Sequence, residues 1–424
     1  MSSSQPRALL CFLLILALSG CASWPRPWGR PCCVQAKPVV RKQPVWWHLF
    51  DVTVLEPLEQ PLRLVRPLRK LAGVPVRALN LRDGRVADSA FFSDRDPASL
   101  SPEQVRWGPT RPDGLVRPPV VITKTKMEGK TAGFFGTDAS GTRYLFKLDP
   151  VGSPELLSGA EAVTSKLLYA LGYHVPSYEV TVLRPEELHI GPEAVAKDAH
   201  GHLHPFRESD LEGMLEGRLH EGRLRVVASR ILEGEILGPA RFKRFRDCAE
   251  MRALKVPYAW VNNIDAKDHN SLLVWDGRQT VGYLIDFGTS LGADAGVGGP
   301  KSPCEGWRHV VDLKEISLKV VTLGFYQPTC DVDSPVSPSV GLFSSSLDPD
   351  RWKPYAPNLA FDEMNEQDAR WIAGRMATLS RAQIEAAVAA GRYSNPADAA
   401  YLVDTLEARR MAIIQRYLRE GRER

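Results

Sequence analysis

The chain has 424 residues, 44% hydrophobic and 25% charged, which is the composition of a soluble globular protein long enough for a two-lobed core plus extensions. Lys and Arg number 54 against 50 Asp and Glu, and the resulting formal charge of +4 is too even to argue for a nucleic-acid partner. Much of that small excess sits near the two ends of the chain.

At the N-terminus, Arg7 precedes an apolar run at 8–18 that closes on Leu18-Ser19-Gly20-Cys21. The run is too short for a permanent membrane span and has the layout of a signal peptide. Its L-S-G-C ending resembles a bacterial lipoprotein signal. That implies removal of residues 1–20, lipidation of Cys21 and export; Ala22, rather than Asp, then implies the outer membrane of the cell envelope. The alternative is an ordinary secretory signal. Residues 21–45, rich in Pro, Arg and Trp and carrying Cys32-Cys33, read as an extended tether. Setting aside Cys11 and Cys21 leaves an odd number of cysteines, so at least one is unpaired or paired between chains. Cys304 with Cys330 is one possible bridge, which sequence does not settle.

Residues 46–119 read as an irregular extension packed on a small lobe, with strand-like pieces such as 51–55 and a capped helix start at Ser101-Pro102-Glu103-Gln104. The small lobe is expected at 120–237. The glycine-rich stretch from Gly129 to Gly136 suits a hairpin whose N–H groups face phosphates, with Gly133 and Gly136 as nucleotide-binding candidates. A plain hairpin turning at Asp138-Ala139-Ser140-Gly141 accounts for it equally well. A strand at 141–149 carries Lys147 near its end. A helix at 156–171 follows, with Ser153 as N-cap, Pro154 in its first turn and Gly172 as its stop. Glu161 lies mid-helix, where packing can fix it; Glu155 suits a capping role. Strands at 178–183 and 225–232 flank a polar excursion. Its His200, His202 and His204 sit around a hairpin tip without a fourth ligand at zinc spacing, so they read as solvated loop residues. Residues 233–239 are a candidate hinge, or a simple turn.

The large lobe is expected at 238–424. A helix at 249–261 feeds Asp265-Ala266-Lys267-Asp268-His269-Asn270, which reads D-x-K-x-x-N. Tyr283-Leu284-Ile285-Asp286-Phe287-Gly288 follows and ends in D-F-G. Between them, two β-rich runs flank Asp276-Gly277, a hairpin signal. Folding back about residue 278 sets Asn270 opposite Asp286, so that an amide and a carboxylate converge as a hard cation such as Mg²⁺ requires. Residues 292–306 are glycine-rich and include Lys301, 313–324 continue the core, and 328–357 are loop-like. Helices are expected at 366–378, at 380–390 behind a Ser380/Gln383 capping box, and at 396–418, with their apolar stripes in the core.

With a lysine strand, D-x-K-x-x-N, a hairpin and D-F-G in this order, the chain resembles the protein-kinase-like superfamily in its atypical branch. It is similar to HipA-type and CotH-type kinases over roughly residues 125–410. The resemblance implies an α+β, bilobal fold with a small antiparallel β lobe and a mainly helical large lobe. Residue by residue, it implies that Asp265 deprotonates an acceptor hydroxyl and Lys267 lies near the transferred phosphoryl group. Asn270 and Asp286 would hold Mg, Lys147 would hold the phosphates of ATP, and Glu161 would fix Lys147. Two departures stand out: Asn263-Ile264 replaces the usual His-Arg, and no A-P-E follows the D-F-G. Both bear on peptide-substrate binding more than on nucleotide chemistry. The expected function is an exported, lipid-anchored phosphotransferase moving the γ-phosphoryl of ATP to a hydroxyl of a protein or small molecule. The rivals are a catalytically silent pseudokinase serving as an envelope sensor, and a structural lipoprotein. Keeping Lys147, Asp265, Asn270 and Asp286 together favours the first.

Overall fold

The computed structural model of the chain describes residues 37, 44–56, 68–69, 71–74, 76–110, 114–126, 131–198, 201–326, 330 and 334–419. The signal segment, Cys21, Cys32-Cys33, nearly all of the tether, Gly129, His200 and the last five residues of the basic tail lie outside the described residues.

The strands are β1 (Val120–Thr125), β2 (Gly133–Thr137), β3 (Arg143–Leu148), β4 (Tyr178–Leu183), β5 (Leu188–Lys197), β6 (Leu203–Pro205), β7 (Arg223–Arg230), β8 (Glu235–Gly238), β9 (Ser271–Trp275) and β10 (Thr280–Leu284). The helices are α1 (Val45–Phe50), α2 (Pro102–Trp107), α3 (Leu156–Ala170), α4 (Glu208–Leu215), α5 (Ala249–Ala253), α6 (Lys255–Trp260), α7 (Leu313–Val321), α8 (Leu359–Asp362), α9 (Glu366–Ala377), α10 (Arg381–Ala389) and α11 (Pro396–Ile414). Among the described residues, no helix is long and apolar enough to cross a membrane.

The molecule is an α+β, bilobal fold with a small, mainly β lobe and a mainly helical large lobe. Its small lobe is one sheet in the order β4–β7–β3–β2–β1–β5–β6, antiparallel except for the parallel β1–β5 pair. Alternation along the strands sends Ile122, Phe134, Tyr144, Phe146, Leu148 and Val226 to one face, where Leu211 and Leu215 of α4 close a core. Phe134 and Phe146 stack there at 4.9 Å between centroids. The opposite pleat of β3 turns Lys147 toward α3.

α3 is buried almost all round, as a helix between a sheet and a second lobe must be. Its start differs from the expected Ser153–Pro154 cap. Glu155 takes a left-handed backbone (φ 67°), and the Asp149 carboxylate accepts the Leu157 and Ser158 N–H groups at 3.0 and 2.7 Å. An acid at the end of β3 outcompetes the nearer serine, because the strand delivers it directly over the open N–H groups. Glu155 instead accepts the Ser394 N–H.

The large lobe packs α5, α6 and α8–α11 around Trp260, Ile372, Met376, Ile384 and Leu406. The Ser380/Gln383 capping box forms as expected. α7 does not continue the core: Val320, Val321, Leu323 and Phe325 on and after it are 69–89% exposed. The 51–55 piece, expected to be extended, instead continues α1 as helical turns. Tertiary burial overrides its β-branched residues, since His48, Val52 and Glu56 at i, i+4 and i+8 form one inward face. That face lies on the large lobe, with His48 Nδ1 3.4 Å from Asp268 and Glu56 3.1 Å from Lys243. The rest of the extension lies across the junction of the lobes. Asn80 and Ser89 both donate to buried Glu250 of α5, while Phe92 meets Tyr173 behind α3.

Candidate active site

Lys147 brings the two lobes together chemically. Its ammonium bonds Glu161 of α3 and also Asp286 Oδ1 of the large lobe, the latter at 2.8 Å. Lys147 and Glu161 are buried, whereas the Asp286 side chain keeps 37% of its surface at the edge of the cleft. Burial alone would lower the Lys147 pKa, but the carboxylates of Asp286 and Glu161 outweigh it and raise it. The ammonium therefore stays charged. Burial would raise Asp286, yet Lys147 and Lys126 hold it well below the usual carboxylate range. Glu161 is raised, by its burial first and against the pull of Lys147.

The second cluster forms at the loop after α6. Lys267 Nζ donates to Asp265 Oδ2 at 2.5 Å, and Asn270 Nδ2 donates to the Asp265 carbonyl at 2.8 Å. Burial raises the Asp265 pKa, Lys267 opposes that, and Asp286 adds to it; the two acids therefore feel each other across the cleft.

The hairpin between the clusters differs from expectation by one residue in register. Ser271 pairs with Leu284 and Trp275 with Thr280, so Asn270 stands opposite Ile285, whose N–H it accepts at 3.0 Å. The cause is the turn, where Asp276 accepts the Arg278 and Gln279 N–H groups and moves the fold point ahead of residue 278. Asp286 is the next residue along from Ile285. Its left-handed backbone (φ 60°) breaks the strand alternation, and its N–H donates to Tyr178 Oη at 3.1 Å. A non-glycine residue held there costs strain that its surroundings must support.

Gly133 lies in β2 directly opposite Lys147, and Gly136 lies three residues further along the same strand. Both are buried, with packing reasons for having no side chain. A Cβ on Gly133 would sit 2.5 Å from the Phe146 carbonyl, and one on Gly136 would sit 2.7 Å from Val120. The connection between β1 and β2 begins at Lys126 and ends ahead of both glycines. Its first residue, Lys126, was not singled out by sequence, yet its charge acts on Asp286 and Lys147. A lysine just after a strand carries no motif; only the fold shows where it lies. Tyr178 was missed for the same reason.

The segment after the D-F-G is tied down. Buried Lys301 donates to the carbonyls of Asn262, Thr289 and Leu291 at 2.5, 2.7 and 2.9 Å, which binds it to the loop leading into Asp265. Cys304 and Cys330 form a disulfide, and Cys248 is buried. The expected hinge, 233–239, is mostly strand: β8 pairs with β9 of the hairpin. His202 and His204 are at the β5–β6 hairpin, and each has an acid or carbonyl neighbour. Large hollows of about 1040 and 1090 Å³ lie on the outer surface, around Arg77 and Asp362, away from Lys147 and Asp265.

The donor chemistry at the cleft fits a hard cation. Asp286 offers carboxylate oxygen, and Asn270, with its nitrogen committed to Asp265, has its amide oxygen left for a metal. Among the described residues no group of three or more His, Cys, Asp or Glu could hold a metal. A two-ligand set suits Mg²⁺, which keeps water and phosphate oxygens in its remaining positions.

No protein-family model and no curated protein matches the chain. Among solved structures it is similar to the Helicobacter pylori proinflammatory kinase CtkA, at 11% identity over 70% of this chain and 93% of that one, with a TM-score of 0.36. It is also similar to the Golgi casein kinase, at 10% identity over 88% of this chain and 91% of that one, TM-score 0.28. A Golgi casein kinase with Mn/ADP bound matches at 11% identity over 72% of this chain and 76% of that one, TM-score 0.28.

Proposed function

We propose that the chain is an ATP-dependent phosphotransferase acting on a hydroxyl group of a protein or small molecule, working in the cell envelope and anchored there through lipid on Cys21. The observation that carries the catalytic part is Lys147 bridging a buried glutamate and the D-F-G aspartate.

Lys147, held by Glu161, would bind the phosphates of the nucleotide, and Lys126 just after β1 would add a second positive charge. Asn270 and Asp286 would hold Mg²⁺, which when bound neutralises phosphate charge and aligns the transferred group. Asp265 would take the proton of the acceptor hydroxyl as its oxygen bonds to the γ-phosphorus. The bond from that phosphorus to the β–γ bridging oxygen breaks in the same displacement, and ADP leaves. Lys267, already on Asp265, lies where it can steady both the base and the incoming charge. Little else is required, because phosphoryl transfer depends on positioning and electrostatics rather than on an elaborate nucleophile. The Cys304–Cys330 bridge supports the exported part, since disulfides persist in oxidising compartments.

One contact favours a silent, nucleotide-binding pseudokinase: Lys267 occupies an oxygen of the very acid that would act as base. Incubation of the full chain with γ-labelled ATP separates the two. Label should pass to an acceptor or to the chain itself, and Asp265→Ala should cut transfer by a factor on the order of 10² or more while nucleotide binding persists. Equal labelling by Asp265→Ala would remove Asp265 from the chemistry, and no transfer by the wild type would leave the pseudokinase reading.

A further inference from the structure

We infer that α1 and the turns that follow it form a seat for an anionic lipid surface, by which the folded protein itself, and not only its N-terminal cysteine, contacts the bilayer. The helical stretch from Val45 to Leu55 has two unlike faces. One, with His48, Val52 and Glu56, is buried on the large lobe. The other presents Trp46, Trp47, Leu49, Phe50 and Val54 to solvent, with Trp46 67% exposed. Three of these rings form a cluster, Trp46–Trp47 and Trp47–Phe50 both at 5.6 Å between centroids.

A water-facing patch of this kind, two tryptophans and a phenylalanine on a short amphipathic helix, is what partitions into the headgroup region of a bilayer. Charge selects the occupant. The chain leading into α1, residues 22–44, contains Arg26, Arg30, Arg41 and Lys42 with no Asp or Glu; its remaining basic residue, Lys37, pairs with Glu235. A basic approach followed by an aromatic helix matches anionic lipid, with each basic residue near the surface adding attraction that salt screens. The other exposed apolar stretch, around α7 and Phe325, differs in carrying an acid among its basic residues, Glu315 between Arg308 and Lys319. The inner face of α1 meets the loop carrying Asp265, through His48 and Asp268 and the His48–His269 ring pair at 5.3 Å. Seating α1 on lipid therefore holds that loop close to the membrane surface.

The inference concerns the folded surface and does not depend on lipidation or on phosphoryl transfer. The test uses the chain from residue 21 onward carrying Cys21→Ser, so that neither an acyl chain nor the apolar run at 8–18 contributes, mixed with vesicles of phosphatidylglycerol and phosphatidylethanolamine or of phosphatidylcholine alone. Co-sedimentation with the anionic vesicles and a blue shift of tryptophan emission are expected, both weakened by high salt. Trp46→Ser with Phe50→Ser should reduce the partition about tenfold or more without changing the melting temperature, since both side chains are exposed. Phe325→Ser should leave it unchanged. Undiminished binding by the Trp46/Phe50 variant, equal binding to neutral vesicles, or loss with Phe325→Ser would overturn the inference. So would self-association in analytical ultracentrifugation that the Trp46/Phe50 substitutions abolish, because the face would then belong to a second copy.

Discussion

Asp265 is held between opposing influences: burial and Asp286 push its pKa up, while Lys267 at 2.5 Å pulls it down. As the proposed base it must be ionised, so activity should fall as pH drops through the folded-state value, which is raised from that of an ordinary aspartate. Removing the lysine removes the largest downward influence. In Lys267→Met the acid limb of the kcat/KM profile is therefore expected to move to higher pH, in addition to any loss of rate. A limb that stays in place would mean that the group titrating is not Asp265. Lys147, Glu161 and Asp286, which meet in the structure, could be picked from the sequence through its resemblance to the kinase motif order. Lys126 and Tyr178 could not, since nothing local marks a lysine after a strand or a strand tyrosine that only tertiary folding brings to the cleft.

At the scale of elements, α3 delivers Glu161, and Asp149 holds the start of α3. The Asp149 carboxylate serves two backbone N–H groups and the Ser158 hydroxyl, with Arg225 alongside at 3.6 Å. Asp149→Ala should cost about 2 kcal/mol in chemical denaturation, the upper end for loss of a helix cap, and Ser153→Ala should cost well under about 1 kcal/mol. The reverse ranking would restore Ser153 as the cap. The periodicity of α3 and the β9–β10 hairpin were legible from residue pattern and turn chemistry. The cap, the one-residue shift of the hairpin and the helical form of 51–55 were not. Each depends on a partner distant in sequence or on side-chain bonds inside a turn: the end of β3 for α3, the Asp276 bonds for the hairpin, and the large lobe for His48 and Val52.

For the whole molecule, the two lobes are expected from the resemblance to kinase-like proteins, not from the order of strands and helices alone. What the pattern does not contain is how the lobes meet. That junction is made by a few buried charges and by an extension whose composition gives no period: Lys147 across the cleft, and Asn80 and Ser89 on Glu250. The central claim is that residues from both lobes jointly form one Mg-nucleotide site. Calorimetric titration of ATP into the full chain, with Mg²⁺ and again after EDTA, tests it most directly. The account predicts saturable binding at one site, weakened at least about tenfold by EDTA and similarly by Asp286→Asn or Lys147→Met, as expected when a buried charge loses its counterpart. Heats that are absent in the wild type, or that are the same with and without metal and in both variants, would contradict it.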